Sequence, residues 1–324
     1  MNTYCDLRLM HFWFTVLLIL STTTAASLAN VQEPQAAKSS GEHEGRIEAE
    51  SRFATLDGAR IHYLNYNRDS SARGKGKAKA GNDEDALVLI HGWTMNNDSW
   101  RAQIPTWVKR SRVIALDLPG HGKSDKPQTT YSMDYFARAV DAVMRDAKVK
   151  RAVLVGHSMG TPVSRQFYRK YPEKTLAIVI VDGSLRPFGD KAILDKMIAG
   201  LRSPEYRTTG TQMFNMMSGP ALPPDAKERI MMSFGNTPQH VVVSAMEGMA
   251  DPSIWGEDKV NVPVLAVMAR NPFLPPNVEE SFRALVPDME FYMWDGVGHF
   301  LHMERPQEFN QAVLTFLDKK KLLQ

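Results

Sequence analysis

The apolar residues of the chain follow two kinds of pattern. Between residues 46 and 66, apolar and polar positions alternate on either side of Asp57-Gly58, which is typical of two β-strands joined by a tight turn. From residue 86 onward, short continuous apolar runs alternate with amphipathic segments of helical length. Apolar strands separated by helices predict an α/β fold, with a mostly parallel sheet flanked by helices and an N-terminal β-hairpin. The runs are ALVLI at 86–90, RVIALD at 112–117, RAVLVG at 151–156, LAIVIVD at 176–182 and PVLAVM at 263–268.

Residues 184–255 interrupt this alternation of strands and helices. The stretch is helical in character, rich in methionine and broken at Pro204, Gly210 and Gly219-Pro220. It predicts a helical lid inserted into the core, which leaves residues 46–183 and 256–324 as the two parts of that core. Its methionines suit either the filling of an irregular core or contact with varied apolar substrates, and the sequence leaves both interpretations open.

The first 45 residues have a pattern of their own. A polar start, an apolar run at 12–20 and a series of small residues predict a cleaved signal peptide over residues 1–29, with the cut after Ala26 or Ala29. Residues 30–45 are polar and predict a flexible spacer. We therefore expect a secreted or periplasmic protein with no stable membrane association after cleavage. The alternative is an uncleaved membrane anchor, because the apolar stretch approaches spanning length.

Composition and charge narrow the class of partner. With 43% hydrophobic and 23% charged residues, the chain fits one globular domain with an insertion. The net charge of +3 is not gathered into long basic runs, which argues against nucleic-acid binding and favours a small-molecule substrate. The single cysteine, Cys5, precedes the apolar run, so the mature protein is expected to have no disulfide, thiol nucleophile or cysteine metal site. The sequence gives no indication of an oligomeric state.

A candidate nucleophile lies in Gly156-His157-Ser158-Met159-Gly160, between an apolar strand and a helix. This context predicts a nucleophile elbow, in which Ser158 occupies a strained turn and the flanking glycines avoid neighbouring backbone. A serine hydroxyl needs a base. His299 is the candidate base, because it stands on a Gly-rich loop between the predicted strand 289–294 and the closing helix 306–317.

A candidate oxyanion hole follows the first apolar strand, at His91-Gly92-Trp93. Acyl chemistry needs two backbone N–H donors directed at the developing oxyanion, and Trp93 and Met159 are placed to supply them. We expect the Trp93 side chain to form a wall of the substrate pocket. The alternative interpretation of this segment is a plain turn at a strand end.

Taken together, these motifs resemble the α/β-hydrolase superfamily, in the branch of lid-bearing serine esterases, haloperoxidases and C–C hydrolases. The resemblance covers residues 46–320 and implies Ser158 as nucleophile, His299 as base, Trp93 and Met159 as oxyanion donors, a lid at 184–255 and no metal or organic cofactor. Haloalkane dehalogenases and epoxide hydrolases of this fold have an aspartate where Ser158 stands, which argues against those activities. The motifs are HGW at 91–93, DLPGHGKSDKP at 117–127, GHSMG at 156–160 and GVGHFLHMERPQEFNQAVLTFL at 296–317.

The acid of the expected triad departs from the family pattern. The family places it after the penultimate strand, where Asn271 and Pro272 stand here. We predict Asp182 instead, because it ends the strand after the nucleophile, emerges at the same edge of a parallel sheet and keeps the chain order Ser, Asp, His. Asp190 and Asp295 are the alternatives.

The expected activity is two-step acyl transfer to water by a serine hydrolase, most simply a carboxylic ester hydrolase. The substrate is expected to be small and largely apolar and to pass through an acyl-enzyme. One alternative is C–C bond hydrolysis of a vinylogous diketone by the same residues, and another is a slow-turnover, ligand-binding receptor that resembles a hydrolase.

Overall fold

The computed structural model describes residues 48–68, 84–187, 191–272 and 274–323. The predicted signal peptide, the predicted spacer and Asp190 lie outside these residues. Eight strands form one sheet in the order β1-β2-β4-β3-β5-β6-β7-β8. The strands are β1 (Glu50–Leu56), β2 (Ala59–Tyr66), β3 (Asp85–Ile90), β4 (Arg112–Leu116), β5 (Arg151–His157), β6 (Thr175–Val181), β7 (Val264–Ala269) and β8 (Met289–Trp294).

The N-terminal hairpin forms at the predicted turn. β1 and β2 pair antiparallel, with Leu56 opposite Ala59. Both turn residues have positive φ, 50° at Asp57 and 82° at Gly58, as a tight two-residue hairpin requires. β2 then pairs antiparallel with β4 and joins the hairpin to the rest of the sheet.

The other strand pairs are all parallel, which confirms the predicted mostly parallel sheet. Side chains alternate between two apolar layers, as β3 illustrates. Ala86, Val88 and Ile90 join one buried cluster, and Leu87 and Leu89 join the other. The helices are α1 (Ile104–Trp107), α2 (Met133–Asp146), α3 (Gly160–Lys170), α4 (Lys191–Arg202), α5 (Tyr206–Met217), α6 (Pro224–Gly235), α7 (Gln239–Ala250), α8 (Val278–Arg283), α9 (Leu301–Glu304) and α10 (Pro306–Lys319).

Helices α4 to α7 lie between β6 and β7 and form what we call the helical insertion, residues 191–250. Its methionines divide between core and surface. Met213, Met246 and Met249 are buried, whereas Met216 and Met232 are 71% and 64% exposed. The buried methionines fill the core, and contact of the exposed ones with substrate stays a prediction. Within the described ranges, none of the helices has the length and apolarity needed to cross a membrane.

Candidate active site

Ser158 lies in a tight turn between β5 and α3. Its φ is +52°, in the left-handed region, and its N–H donates to the carbonyl of Val181 at 3.0 Å. A Cβ on Gly156 would come within 2.3 Å of the Gly160 carbonyl oxygen, and one on Gly160 within 2.3 Å of the Ile90 carbonyl oxygen. Both glycines are therefore required for the turn, as the elbow motif predicts.

Asp182 and His299 lie together at the carboxyl edge of the sheet. The Asp182 Oδ2 accepts from the Nδ1 of His299 at 2.6 Å, and the other carboxylate oxygen accepts from the backbone N–H of Ala269 at 2.8 Å. Asp182 is buried, and the side chain of His299 is 18% exposed. With Nδ1 donating, the Nε2 of His299 carries the free lone pair. The structure thus brings the predicted acid to the predicted base.

Asp295, the alternative acid within the described residues, has a different partner. Asp295 is 71% exposed and pairs with Arg270 at 2.6 Å. Asn271 donates from its side-chain amide to the carbonyl of Ala269 at 3.3 Å. Since Ala269 is the last residue of β7, the carboxylate of Asp182 reaches the strand end after which the family pattern expects the acid.

A second histidine contacts the backbone of His299, the candidate base. His157 is buried, and its Nε2 donates to the carbonyl of His299 at 2.9 Å, with 4.8 Å between the two ring centroids. Burial lowers the pKa of His157 well below its usual range, which keeps this ring neutral beside His299. Sequence reasoning missed this role, although the residue stands inside the elbow motif.

The candidate oxyanion loop lies against the elbow. A Cβ on Gly92 would stand 2.9 Å from the Nδ1 of His157 and 3.2 Å from the Cβ of Ser158. This places the segment of Trp93 next to Ser158. Met159, the residue after Ser158, is fully buried. The two predicted backbone donors therefore belong to segments that meet at Ser158.

Aromatic rings connect the candidate site to the helical insertion. The indole Nε1 of Trp93 donates to the carbonyl of Val242 in α7 at 2.9 Å, and the indole stacks on Phe214 of α5 at 5.6 Å. Phe214 also lies 6.3 Å from Phe300, the residue after His299. An aromatic cluster thus joins the core, the insertion and the loop of His299. No local pattern in the sequence predicts this cluster, because its members come from separate elements.

The segment 117–124 is held by hydrogen bonds within the fold. The buried carboxylate of Asp117 accepts from the backbone N–H groups of Asn97 at 2.7 Å and Lys123 at 2.9 Å, and contacts the Nδ1 of His62 at 2.8 Å. Burial acts to raise the pKa of Asp117, but these hydrogen bonds outweigh it and the pKa is lowered.

Comparison with known protein families settles the class. A family profile described as alpha/beta hydrolase fold matches residues 85–306, more than half of the chain. The chain belongs to the α/β-hydrolase family. The fold and the family support hydrolase activity for this α/β hydrolase.

Individual relatives are distant and varied. A dihydrolipoyllysine-residue acetyltransferase component of an acetoin cleaving system from Pseudomonas putida is 28% identical over 240 residues, which cover 72% of this α/β hydrolase and 63% of that relative, less than two thirds of its length. A 2-hydroxy-6-oxononadienedioate/2-hydroxy-6-oxononatrienedioate hydrolase from Pseudomonas sp is 26% identical over 258 residues, 74% of this chain and 89% of the relative. A solved esterase from Exiguobacterium antarcticum has a TM-score of 0.71 at 17% identity, covering 83% of this chain and 100% of that one, which shows a shared fold.

Proposed function

We propose that this α/β hydrolase is a serine hydrolase that cleaves an ester-like bond through an acyl-enzyme. The observation that carries the proposal is the 2.6 Å hydrogen bond between Asp182 and His299, at the sheet edge where Ser158 occupies the elbow. Ser158 Oγ attacks the carbonyl carbon while the Nε2 of His299 takes its proton. The same proton passes to the leaving alcohol, and a water molecule activated by His299 then releases the acid.

Two further groups lower the barrier in this proposal. The carboxylate of Asp182 holds the Nδ1–H tautomer of His299 and stabilises the imidazolium that forms during attack. The backbone N–H groups of Trp93 and Met159 donate to the oxyanion, and the loss of one such donor costs about a hundredfold or more in turnover. No metal or organic cofactor takes part in these steps.

The proposed substrate is a small and largely apolar molecule. The aromatic rings between His299 and the insertion support this, because such surfaces bind apolar groups better than charged ones. The helical insertion would act as the lid over it. A vinylogous diketone is the alternative substrate, because a relative is named as the hydrolase of a 2-hydroxy-6-oxo dienoic diacid.

We also propose that the enzyme is exported. The support is the pattern of residues 1–29, with its apolar run and small-residue cut sites. The proposed partner is therefore a small molecule met outside the cytoplasm, with no stable membrane association and no nucleic acid.

The test combines a covalent probe with a substrate panel. We expect a fluorophosphonate to label Ser158, and Ser158→Ala to lose both the labelling and the turnover of p-nitrophenyl esters. The panel includes a vinylogous diketone, so that preferred cleavage of that compound would favour the C–C hydrolase alternative. Labelling that maps to another serine would remove the nucleophile assignment, and a single stoichiometric burst without further turnover would indicate a receptor.

A further inference from the structure

A buried carboxylate lies behind the loop of the candidate base. Glu304, the last residue of α9, is 8% exposed. Its carboxylate oxygens accept from the backbone N–H of Gly298 at 3.0 and 3.1 Å. One of them also accepts from the backbone N–H of Gly219 at 3.3 Å. Gly298 precedes His299, and Gly219 follows α5 of the helical insertion, so one side chain holds both segments.

The two segments that Glu304 holds are also in direct backbone contact. A Cβ on Gly219 would come within 2.2 Å of the Gly298 nitrogen, and one on Gly298 within 2.6 Å of the Met217 carbonyl oxygen. The N–H of His299 itself donates to that carbonyl at 2.8 Å. The backbone of the base therefore rests on the end of α5, at a distance that only two glycines permit.

The carboxylate of Glu304 is held in an unfavourable place for a charge. The neighbouring Arg305 directs its guanidinium to Glu308 and to the carbonyl of Asp295. Burial raises the pKa of Glu304 above its usual range. Hydrogen bonds from the backbone N–H groups of Gly298, Gly219 and Ala221 and the nearby charge of Arg305 act in the opposite direction. A buried carboxylate lowers stability unless its hydrogen bonds compensate for the lost hydration. A residue needed only to fill this space would be apolar.

We propose that Glu304 is a positioning residue, which clamps the His299 loop to the helical insertion and so fixes the imidazole relative to Ser158. The proposal rests on the role of His299 in the proposed function. A displacement of the base by about 1 Å can cost a hundredfold in rate without any loss of substrate contacts. The clamp also makes the geometry of the base depend on the seating of the insertion, since Gly219 and Met217 belong to it.

Two substitutions of similar size separate positioning from packing. Glu304→Gln keeps an amide oxygen that can accept from both N–H groups, whereas Glu304→Leu removes every acceptor. We expect kcat to fall about a hundredfold in Glu304→Leu with KM within a few fold, and to stay within about fivefold in Glu304→Gln. Glu308→Gln, a change at the exposed partner of Arg305, is the control and should leave kcat unchanged.

The experiment measures kcat and KM on one ester, the rate at which a fluorophosphonate labels Ser158, and hydrogen exchange of peptides covering residues 217–222 and 297–300. The expected result is slower labelling and faster exchange of both peptides in Glu304→Leu, with wild-type exchange elsewhere. Equal kcat losses in the Leu and Gln variants, or unchanged exchange of the two peptides, would overturn the clamp. If the wild-type protein is not labelled at Ser158, the proposed function fails, while the exchange comparison still decides whether Glu304 joins the two segments.

A variant within the insertion covers the case in which Glu304→Leu does not fold. Gly219→Ala would place a Cβ 2.1 Å from the Glu304 carboxylate and 2.2 Å from the Gly298 nitrogen. The clamp predicts a fall in kcat from this change, although Gly219 contributes no side chain to the site. Wild-type kcat in Gly219→Ala would count against the proposal.

Discussion

The carboxylate of Asp182 bridges the ends of two neighbouring strands, because it follows β6 in the chain and accepts from the N–H of Ala269 at the end of β7, at 2.8 Å. That bond leaves the other oxygen directed at His299. The candidate acid is thus held by two hydrogen bonds, which restricts the orientation of His299, the candidate base.

Replacement of Asp182 by asparagine tests its assignment as the acid. A neutral amide stabilises the imidazolium poorly and favours the wrong tautomer, so we expect turnover to fall by about ten-thousandfold. Asp295→Asn and Asn271→Ala are the matched controls, and their turnover should stay within a few fold of the wild-type value. Steady-state kinetics with a thermal melt of each variant makes the comparison. Near-wild-type turnover in Asp182→Asn, or a large loss in Asn271→Ala, would show the assignment to be wrong.

The hydrogen bond from His157 to the His299 carbonyl predicts a smaller fall in turnover than the one expected for Asp182→Asn. His157→Leu removes the donor to the His299 carbonyl, and the loss of one hydrogen bond of about 1 kcal/mol corresponds to a kcat reduction of about fivefold. His157→Gln retains an N–H donor and should recover part of the rate. Kinetics of the two variants on one ester would check this, and equal rates in both would argue that the hydrogen bond has no part in placing the base.

The buried histidines predict a loss of stability in mild acid. Burial lowers the pKa of both His121 and His302 from 6.5 to about 3. A group whose pKa is lowered in the folded state adds stability above its unfolded pKa, and that stability is lost as pH falls from about 6.5 toward about 3. Each such histidine is therefore expected to cost about 2 kcal/mol of unfolding free energy between pH 7 and pH 5.

Urea unfolding at pH 7 and pH 5 measures this effect. His302→Phe keeps a ring against Trp100 and removes one titrating group. Its free energy of unfolding should therefore fall by about 2 kcal/mol less between pH 7 and pH 5 than that of the wild type. His240→Gln, at a partly exposed position, is the control, and its free energy of unfolding should fall as much as that of the wild type. An unchanged pH dependence in His302→Phe would contradict the prediction.

The export proposal predicts a defined N-terminus. Expressed as the full chain in a host with a secretory pathway, the protein should be recovered in soluble form beginning at Asn30 or Ser27, because the small residues before them suit signal peptidase. N-terminal sequencing of the soluble and membrane fractions provides the measurement. Protein that retains Met1 in the membrane fraction would identify residues 12–29 as an anchor.

The sequence predicts the sheet and the elbow because both depend on local patterns. Continuous apolar runs predict buried parallel strands, and the strand-turn-helix context of Ser158 predicts the elbow in which it lies. Chain order and sheet direction were enough to favour Asp182. Local patterns do not predict the clamp at Glu304. Its side chain accepts from the backbone N–H of Gly219, 85 positions away, and every residue except proline has such a donor.

The positive φ angles of two candidate catalytic residues lower the stability of the folded protein. Ser158 and Asp182, at 52° and 42°, both adopt a conformation that costs a side-chain-bearing residue about 1–3 kcal/mol. Glycine relieves that strain and adds only about 0.5–1 kcal/mol of unfolded-state entropy. Ser158→Gly should therefore melt at a higher temperature than the wild type while being inert. Selection for thermal resistance alone would then favour loss of Ser158, the proposed nucleophile, so stabilising substitutions have to be sought at positions away from the strand ends.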